Sequence, residues 1–288
     1  MSSSLYTLNH DNPVEINRLD QNHYNLYLKL QGGHVVPPHI RDHLERVNNP
    51  RVADVGTGTG VFLRSLAERL PATARLDGFD PDTSKFPDPS TLPPNIKLEY
   101  GDALAPFPKE LVGSYDLVHL RLQFFSWQKD GWPKVVENMM NLLKPGGWLL
   151  WFEGGWHGWT TIPPSKAFHE YLGREIERTM KLGREPLACF KLKNWFKDAG
   201  FQEVDERIFN ILQDEVLHKV GANVLYTVCH HSALGVAEQG DTEGLKDKKY
   251  VEDLFKQIRK DFETSLVSQE FRWVWGRKPL GERQQYKL

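Results

Sequence analysis

The 288-residue chain is poor in cysteine, with only Cys189 and Cys229, and around them there is neither a C-x-x-C spacing nor a cluster of metal-ligating residues. That excludes a disulfide framework and a cysteine-built zinc site, and two reduced, buried thiols are expected. His230-His231 stand beside Cys229 without a second spaced ligand pair, so no metal is expected either. No apolar run approaches the roughly 18 residues of a membrane-spanning helix. Met1–Tyr6 has neither the basic nor the apolar region of a secretory signal, and the expected location is cytoplasmic. Neither charge dominates: 36 Lys and Arg stand against 38 Asp and Glu, a net charge of -2. A nucleic-acid partner, which calls for a basic footprint, is therefore not expected, and neither is a membrane partner. There is no internal repeat and no basic cluster of five or more. Aromatic residues are what the chain has in quantity, with nine Trp, nine Tyr and fifteen Phe, several of them beside glycines.

From about Arg51 to Glu153 short apolar strands alternate with helical stretches, the pattern of parallel strands joined by crossover helices. Strands are expected at Arg51–Val55, Arg75–Phe79, Ile96–Tyr100, Tyr115–Leu120 and Trp148–Glu153. Helices are expected at Val61–Leu70 and Trp132–Leu143, the second opened by Pro133 and closed by Lys144-Pro145-Gly146-Gly147. Further helices read at Pro163–Leu182, Lys191–Ala199, Glu215–Val236 and Tyr250–Leu266, with Glu203–Leu212 and Phe271–Trp275 as a late strand pair. Glu238–Lys249 reads as a flexible polar loop. The sum is an α/β fold, a seven-stranded mostly parallel sheet with helices on both faces.

Asp54-Val55-Gly56-Thr57-Gly58-Thr59-Gly60 sits where the first strand turns into the first core helix, with the spacing D-x-G-x-G-x-G. Glycines there let the backbone turn sharply and approach a ligand, while the helix start presents unpaired N–H groups. A dinucleotide fingerprint would put its third glycine where Val61 stands, and no Gly-Lys-Ser/Thr follows for a P-loop. The second strand ends in Gly78-Phe79-Asp80, whose carboxylate can accept hydrogen bonds from a ribose diol. The third runs into Gly101-Asp102-Ala103, where a second carboxylate can meet the exocyclic amine of an adenine.

With these three segments in place, the chain resembles class I S-adenosylmethionine (SAM)-dependent methyltransferases over about residues 50 to 210. Lys144-Pro145-Gly146-Gly147-Trp148 and Ala199-Gly200-Phe201 strengthen the match. Within that class, Asn17-Arg18-Leu19-Asp20-Gln21-Asn22-His23, His119-Leu120-Arg121 and Trp275-Gly276-Arg277-Lys278-Pro279 resemble fungal LaeA-like methyltransferases, a group holding both regulators and tailoring enzymes of secondary metabolism. The family has His directly after Gln in the first of these motifs, whereas Asn22 intervenes here.

The resemblance implies SAM as cofactor and S-adenosylhomocysteine as product. It puts Asp54, Gly56, Thr57, Gly58 and Gly60 around the methionine portion, Asp80 on the ribose, Asp102 and Ala103 at the adenine, and His119 and Arg121 at the sulfonium side. Residues 1–48 are expected to form a helical lid, with Tyr24 and Tyr27 as aromatic walls. Residues 49–288 are expected to form the Rossmann-like domain, with insertions at about 160–190 and 214–266 capping the acceptor. Two segments at strand ends offer acceptor contacts, Gln123-Phe124-Phe125-Ser126-Trp127 and Glu153-Gly154-Gly155-Trp156-His157-Gly158-Trp159. His157 is the expected general base and Glu153 its orienting partner or the acceptor's. Phe124, Phe125, Trp127, Trp156 and His230 are the expected acceptor contacts.

The expected activity is transfer of a methyl group to an O, N or S atom of a small aromatic or peptide-derived natural product, by a monomer or homodimer. Two alternatives stay open. One is a regulator acting through nuclear partners; the other is a SAM-binding fold turned to an isomerisation or pericyclic step.

Overall fold

The protein is described as a computed structural model, which covers residues 13–238, 240, 245 and 247–281. Of the polar stretch 238–249 expected as a flexible loop, Glu238 closes α8 and Lys248 and Lys249 open α9, while residues 239, 241–244 and 246 lie outside the described residues, as does the opening segment 1–12. The chain begins with α1 (Pro13–Asn22), one π-helical turn (His23–Tyr27), the short α2 (Leu28–Leu30) and α3 (Pro38–Arg46). An alternating unit follows: β1 (Arg51–Val55), α4 (Val61–Ala67), β2 (Arg75–Asp80), β3 (Ile96–Tyr100), β4 (Tyr115–Arg121), α5 (Gly131–Leu142) and β5 (Leu143–Gly154). The second half comprises β6 (Thr160–Ile162), α6 (Lys166–Lys181), α7 (Ala188–Asp198), β7 (Gln202–Asn210), α8 (Glu215–Glu238), α9 (Lys248–Thr264), β8 (Leu266–Ser268) and β9 (Glu270–Arg277).

Seven strands form one sheet in the order β3-β2-β1-β4-β5-β9-β7. β9 runs antiparallel to both its neighbours and the remaining pairs are parallel. This is the expected Rossmann-like architecture. Strands covered on both faces must be apolar on both, and β4 and β5 satisfy this with alternating sets. Leu117, Leu150 and Phe152 pack with the N-terminal helices, α4, α8 and α9. Val118, Leu120, Leu149 and Trp151 pack with α5 and α7. Trp132 of α5 stacks between Trp151 and Trp195, ring centroids 5.5 and 5.7 Å away, so part of the aromatic wealth of the sequence is core.

Most expected elements form with small shifts at their ends. α6 starts at Lys166 instead of Pro163 because Ser165 caps it, its hydroxyl accepting from Phe168 N at 3.0 Å. α9 stops at Thr264, two residues short of the expectation, because Leu266–Ser268 is drawn into a ladder with Thr160–Ile162. That two-stranded sheet was absent from the sequence reading. Three-residue strands carry too little periodicity to stand out. Among the described residues no helix is long and apolar enough to cross a membrane.

Candidate active site

β1 ends beneath the glycine loop, and the loop is folded by the neighbouring strand. Gly56 N and Thr57 N both donate to Phe79 O, at 2.7 and 3.1 Å, which turns the chain over the end of β2. Gly58 and Gly60 have φ of +55° and +71°, a region costly to side chains with a Cβ. Asp80 braces this loop: Oδ2 accepts from Gly58 N at 2.8 Å and Oδ1 from Asp82 N at 2.9 Å. Each oxygen keeps a lone pair for a further donor. Burial raises the Asp80 pKa, with Lys85 and the two N–H bonds acting against it.

A cavity of about 660 Å³ runs from this loop across the sheet's C-terminal edge, within the roughly 300–1,000 Å³ of small-molecule sites. Gly56, Thr57, Gly58, Asp80, Asp102, Ala103 and Arg121 line one half, as expected. Asp102 Oδ1 accepts from Leu104 N at 2.9 Å, which leaves its second oxygen for a ligand. Asp54, His119 and Gly60 were expected at the cofactor but do not line the cavity; they form the layer behind it. Asp54 Oδ2 accepts from Thr57 Oγ1 at 2.7 Å, and Oδ1 faces His119 Nδ1 at 2.7 Å. The His119 ring stacks on Phe62 at 3.6 Å, and burial lowers its pKa more than Asp54 raises it. The pair fixes the glycine loop from below. Gly60 is the left-handed residue that opens α4, where a Cβ would come within 3.1 Å of Leu98.

The N-terminal segment closes over this half. Asp20 accepts from Thr59 Oγ1 at 2.5 Å and pairs with Arg64, tying α1 to the glycine loop and to α4. His23 Nδ1 accepts from Arg121 Nη1 at 2.8 Å; burial first, and then Arg121, hold its pKa down at about 2. Tyr27 lines the cavity, with Arg121 5.4 Å from its ring centroid. Tyr24 was expected as a wall but is 38% exposed and off the cavity. The turn His23–Tyr27 is π-helical, a geometry that absorbs one extra residue in a helix. His23, the first residue of that turn, is the one that meets Arg121. Asp20→Ala is expected to weaken SAM binding about five-fold, the worth of one polar clamp, by calorimetry. Unchanged affinity would mean that α1 is held by packing alone.

The other half of the cavity is aromatic. Phe124, Phe125 and Trp127 line it as expected, joined by Trp159, Phe271 and Gly155. Trp156 does not; it is buried behind them, 4.7 Å from Trp159 and 5.3 Å from Phe125. The expected base, His157, is also off the cavity. Its ring packs on Phe190 at 4.1 Å and faces Glu270 at 3.6 Å, and burial lowers its pKa. Glu153 is fully buried as well, accepting from Gln123 N and Trp151 Nε1, both at 2.9 Å, and from Gly154 N at 3.1 Å. It ties the loop after β4 to the end of β5 and does not line the cavity; burial pushes its pKa up to about 7. His230 turns away on α8, stacked on Phe255 at 4.8 Å with Glu252 at 3.4 Å. α8 instead presents Val224 and Val228, one turn apart, to the cavity. Their i, i+4 spacing was a legible signal; Gln269, also on the cavity wall, had none.

These features together define a nucleoside-binding α/β enzyme with an apolar second compartment. Residues 52–147 match a family described as a methyltransferase domain. The chain is 33% identical over 208 residues to methyltransferase grgD of a Penicillium species, covering 69% of this chain and 72% of that protein. It is 30% identical over 198 residues to N-methyltransferase tcpN of Claviceps purpurea, covering 68% and 69%. A solved phosphoethanolamine N-methyltransferase 2 of Haemonchus contortus, in complex with phosphomonomethylethanolamine and S-adenosylhomocysteine, shares the fold. Its TM-score is 0.56 at 14% identity, over 97% of this chain and 61% of that one. The chain belongs to the class I SAM-dependent methyltransferases, in the group that holds fungal secondary-metabolism proteins. SAM is its cofactor, and the cavity fits it: paired carboxylates at the ends of β2 and β3, a glycine loop without Cβ atoms at Gly56 and Gly58, and the half-buried Arg121 on its wall.

Proposed function

We propose that the protein methylates a nitrogen of a small, partly aromatic or peptide-derived metabolite. The observation that carries this reading is the chemistry of the acceptor half. Among the described residues lining it there is no histidine and no carboxylate; Asp80, Asp82 and Asp102 all belong to the ends of β2 and β3. A hydroxyl acceptor benefits from a base, whereas a neutral amine needs alignment and removal of water. N-methyltransferase relatives such as tcpN support the same atom.

When bound, SAM supplies a methyl group on a sulfonium. Asp80 holds the ribose hydroxyls, Asp102 and Ala103 the adenine, and Gly56, Thr57 and Gly58 the methionine portion, with Arg121 beside it. Phe124, Phe125, Trp127 and Trp159 hold a flat acceptor and exclude water from the transfer. Residues 13–48 are the lid, and α8, through Val224 and Val228, belongs to the cap. Segment 160–190 supports that cap, Tyr171 OH donating to Cys229 O at 3.1 Å.

The test is incubation of the protein and SAM with matched aromatic amines, phenols and thiols, read by mass and by formation of S-adenosylhomocysteine. Gain of one methyl on amines alone is the expected result. Methyl gain on phenols or thiols instead would overturn the nitrogen assignment. A product of unchanged mass would turn attention to a rearrangement.

A further inference from the structure

The half-buried guanidinium of Arg121 stands on the cavity wall, and among the described residues it forms no ion pair. One of its N–H groups donates to His23 Nδ1 at 2.8 Å, and it lies over the Tyr27 ring, 5.4 Å from the centroid. Neither partner is an anion. Asp54 and Asp20 act on it only from a distance. Both are engaged elsewhere, Asp54 by Thr57 and His119 and Asp20 by Thr59 and Arg64. Nε and Nη2 of Arg121 make no bond to a described residue, yet neither is sealed from solvent as Nε of Arg51, Arg64 and Arg272 is. They are open to a ligand in the cavity. A cation partly withdrawn from water without a counter-charge is costly, and the cost is relieved when an anion arrives.

The surroundings of this guanidinium belong to the aromatic half. Arg121 is the last residue of β4, and the aromatic segment 123–127 follows almost at once. The Tyr27 ring meets Phe271, a wall of that half, at 5.6 Å. A second cation, Arg18, lines the cavity from α1, whose next residues meet the glycine loop. Leu19 would stand 3.8 Å from a Cβ on Gly58, and Asp20 accepts from Thr59 Oγ1. The loop that takes the methionine portion of SAM therefore has N–H groups and a cation of its own.

We propose that Arg121 is a carboxylate-binding residue of the acceptor half, and that the acceptor is an amine carrying a free carboxylate, as amino-acid-derived metabolites do. This rests on the reading of that half as the acceptor site and of nitrogen as the reacting atom. A guanidinium presents N–H groups in a planar fork that matches the two oxygens of one carboxylate, and Nε and Nη2 are such a pair. With SAM bound, its sulfonium adds a second positive charge to the cavity, which also favours an anionic acceptor. The carboxylate is the handle and the amine the reacting group. Arg121 is thus a positioning and specificity residue that takes no part in bond-making.

The experiment uses the full chain loaded with S-adenosylhomocysteine and two probes of equal size, phenylacetate and phenylacetamide. Calorimetry should give about ten-fold tighter binding of the carboxylate, the excess of a charge-assisted pair over a neutral hydrogen bond. Arg121→Met should erase that preference. Arg121→Lys keeps the charge but loses the fork, and its preference should fall to about three-fold. The cofactor's own carboxylate is the competing source. Its arm compares S-adenosylhomocysteine with methylthioadenosine, which lacks the amino-acid portion, on the wild type and on both variants. The ratio of those two affinities should stay the same, and retained methylthioadenosine binding shows that a variant folds. A wild type without a preference for phenylacetate, or a preference undiminished in the folded variants, would overturn the site. A collapsed S-adenosylhomocysteine ratio would also overturn it and give Arg121 to the cofactor. Formation of methyl phenylacetate from SAM would overturn the nitrogen reading and leave the carboxylate site standing.

Discussion

Asp80→Ala should bind SAM and S-adenosylhomocysteine about a hundred-fold more weakly than the wild type, measured by calorimetry. Two losses add to that figure. The first is a charge-assisted acceptor for the ribose hydroxyls, worth about 1.5–3 kcal/mol. The second is the brace on the glycine loop, because the carboxylate also takes Gly58 N and Asp82 N. With the brace gone, Gly58 loses the contact that holds its N–H toward β2, and the loop must be ordered at the expense of binding. Asp80→Asn separates the two contributions poorly: its amide keeps one accepting oxygen but turns an NH₂ toward one of two N–H donors. It should therefore also lose at least ten-fold. Wild-type affinity in Asp80→Ala would show that the cofactor sits elsewhere.

The second large effect concerns stability and comes from Glu153. Burial pushes its pKa from 4.5 up to about 7, even though Trp151 Nε1 and several backbone N–H groups stabilise the ionised form. An acid with a raised folded pKa binds its proton more tightly when folded. Between pH 4.5 and 7 the folded state therefore holds more protons than the unfolded chain, and stability falls as pH rises. A shift of this size corresponds to about 3 kcal/mol, fully present below the unfolded pKa and lost once the pH exceeds about 7. Glu153→Gln removes the titration. Its urea-unfolding free energy should lack this downward slope across pH 5–8, and the wild-type minus variant difference should shrink by about 3 kcal/mol from the acid to the neutral side. A difference independent of pH would mean that Glu153 titrates normally in the fold. The variant's amide also faces donors from Trp151 and Gln123, so it should be less stable overall at acid pH.

How much of this was legible differs between the two halves of the cavity. On the cofactor side, Gly56, Thr57, Gly58, Asp80, Asp102, Ala103 and Arg121 were all read from the chain and all line the cavity. Their positions follow from local rules, a strand end followed by a tight turn, and a strand end cannot rotate its last residue away from the edge of the sheet. Asp54 and His119 come from the same strand ends but sit one layer deeper. Alternation along β1 and β4 puts neighbouring side chains on opposite faces, and these two meet each other at 2.7 Å beneath the loop.

In the aromatic half Phe124, Phe125 and Trp127 line the cavity as expected, while His157, Glu153, Trp156 and His230 lie off it. Chemical suitability suggested them, but their side chains point into packing against Phe190, Gln123, Phe125 and Phe255. That direction depends on partners 25 to 33 residues away. Trp159 and Gln269 reach the cavity wall beside two three-residue strands that pair, and neither strand is long enough to show a period.

The spacing of glycines and acids and the alternation of apolar strands and helices settle the fold from the chain alone, and the expected strand-end residues reach the cavity wall. Each depends on backbone geometry and on neighbours within one strand–turn–helix unit. His23 illustrates the boundary: the chain displays it after Gln21 and Asn22, and only the fold shows the π-helical turn that it opens and its contact with Arg121. Which side chains face the aromatic half of the cavity was decided by long-range pairing of β6 with β8 and by the rotation of α8. Cross-sheet register and helix rotation are set by packing against distant segments, and no local pattern encodes them.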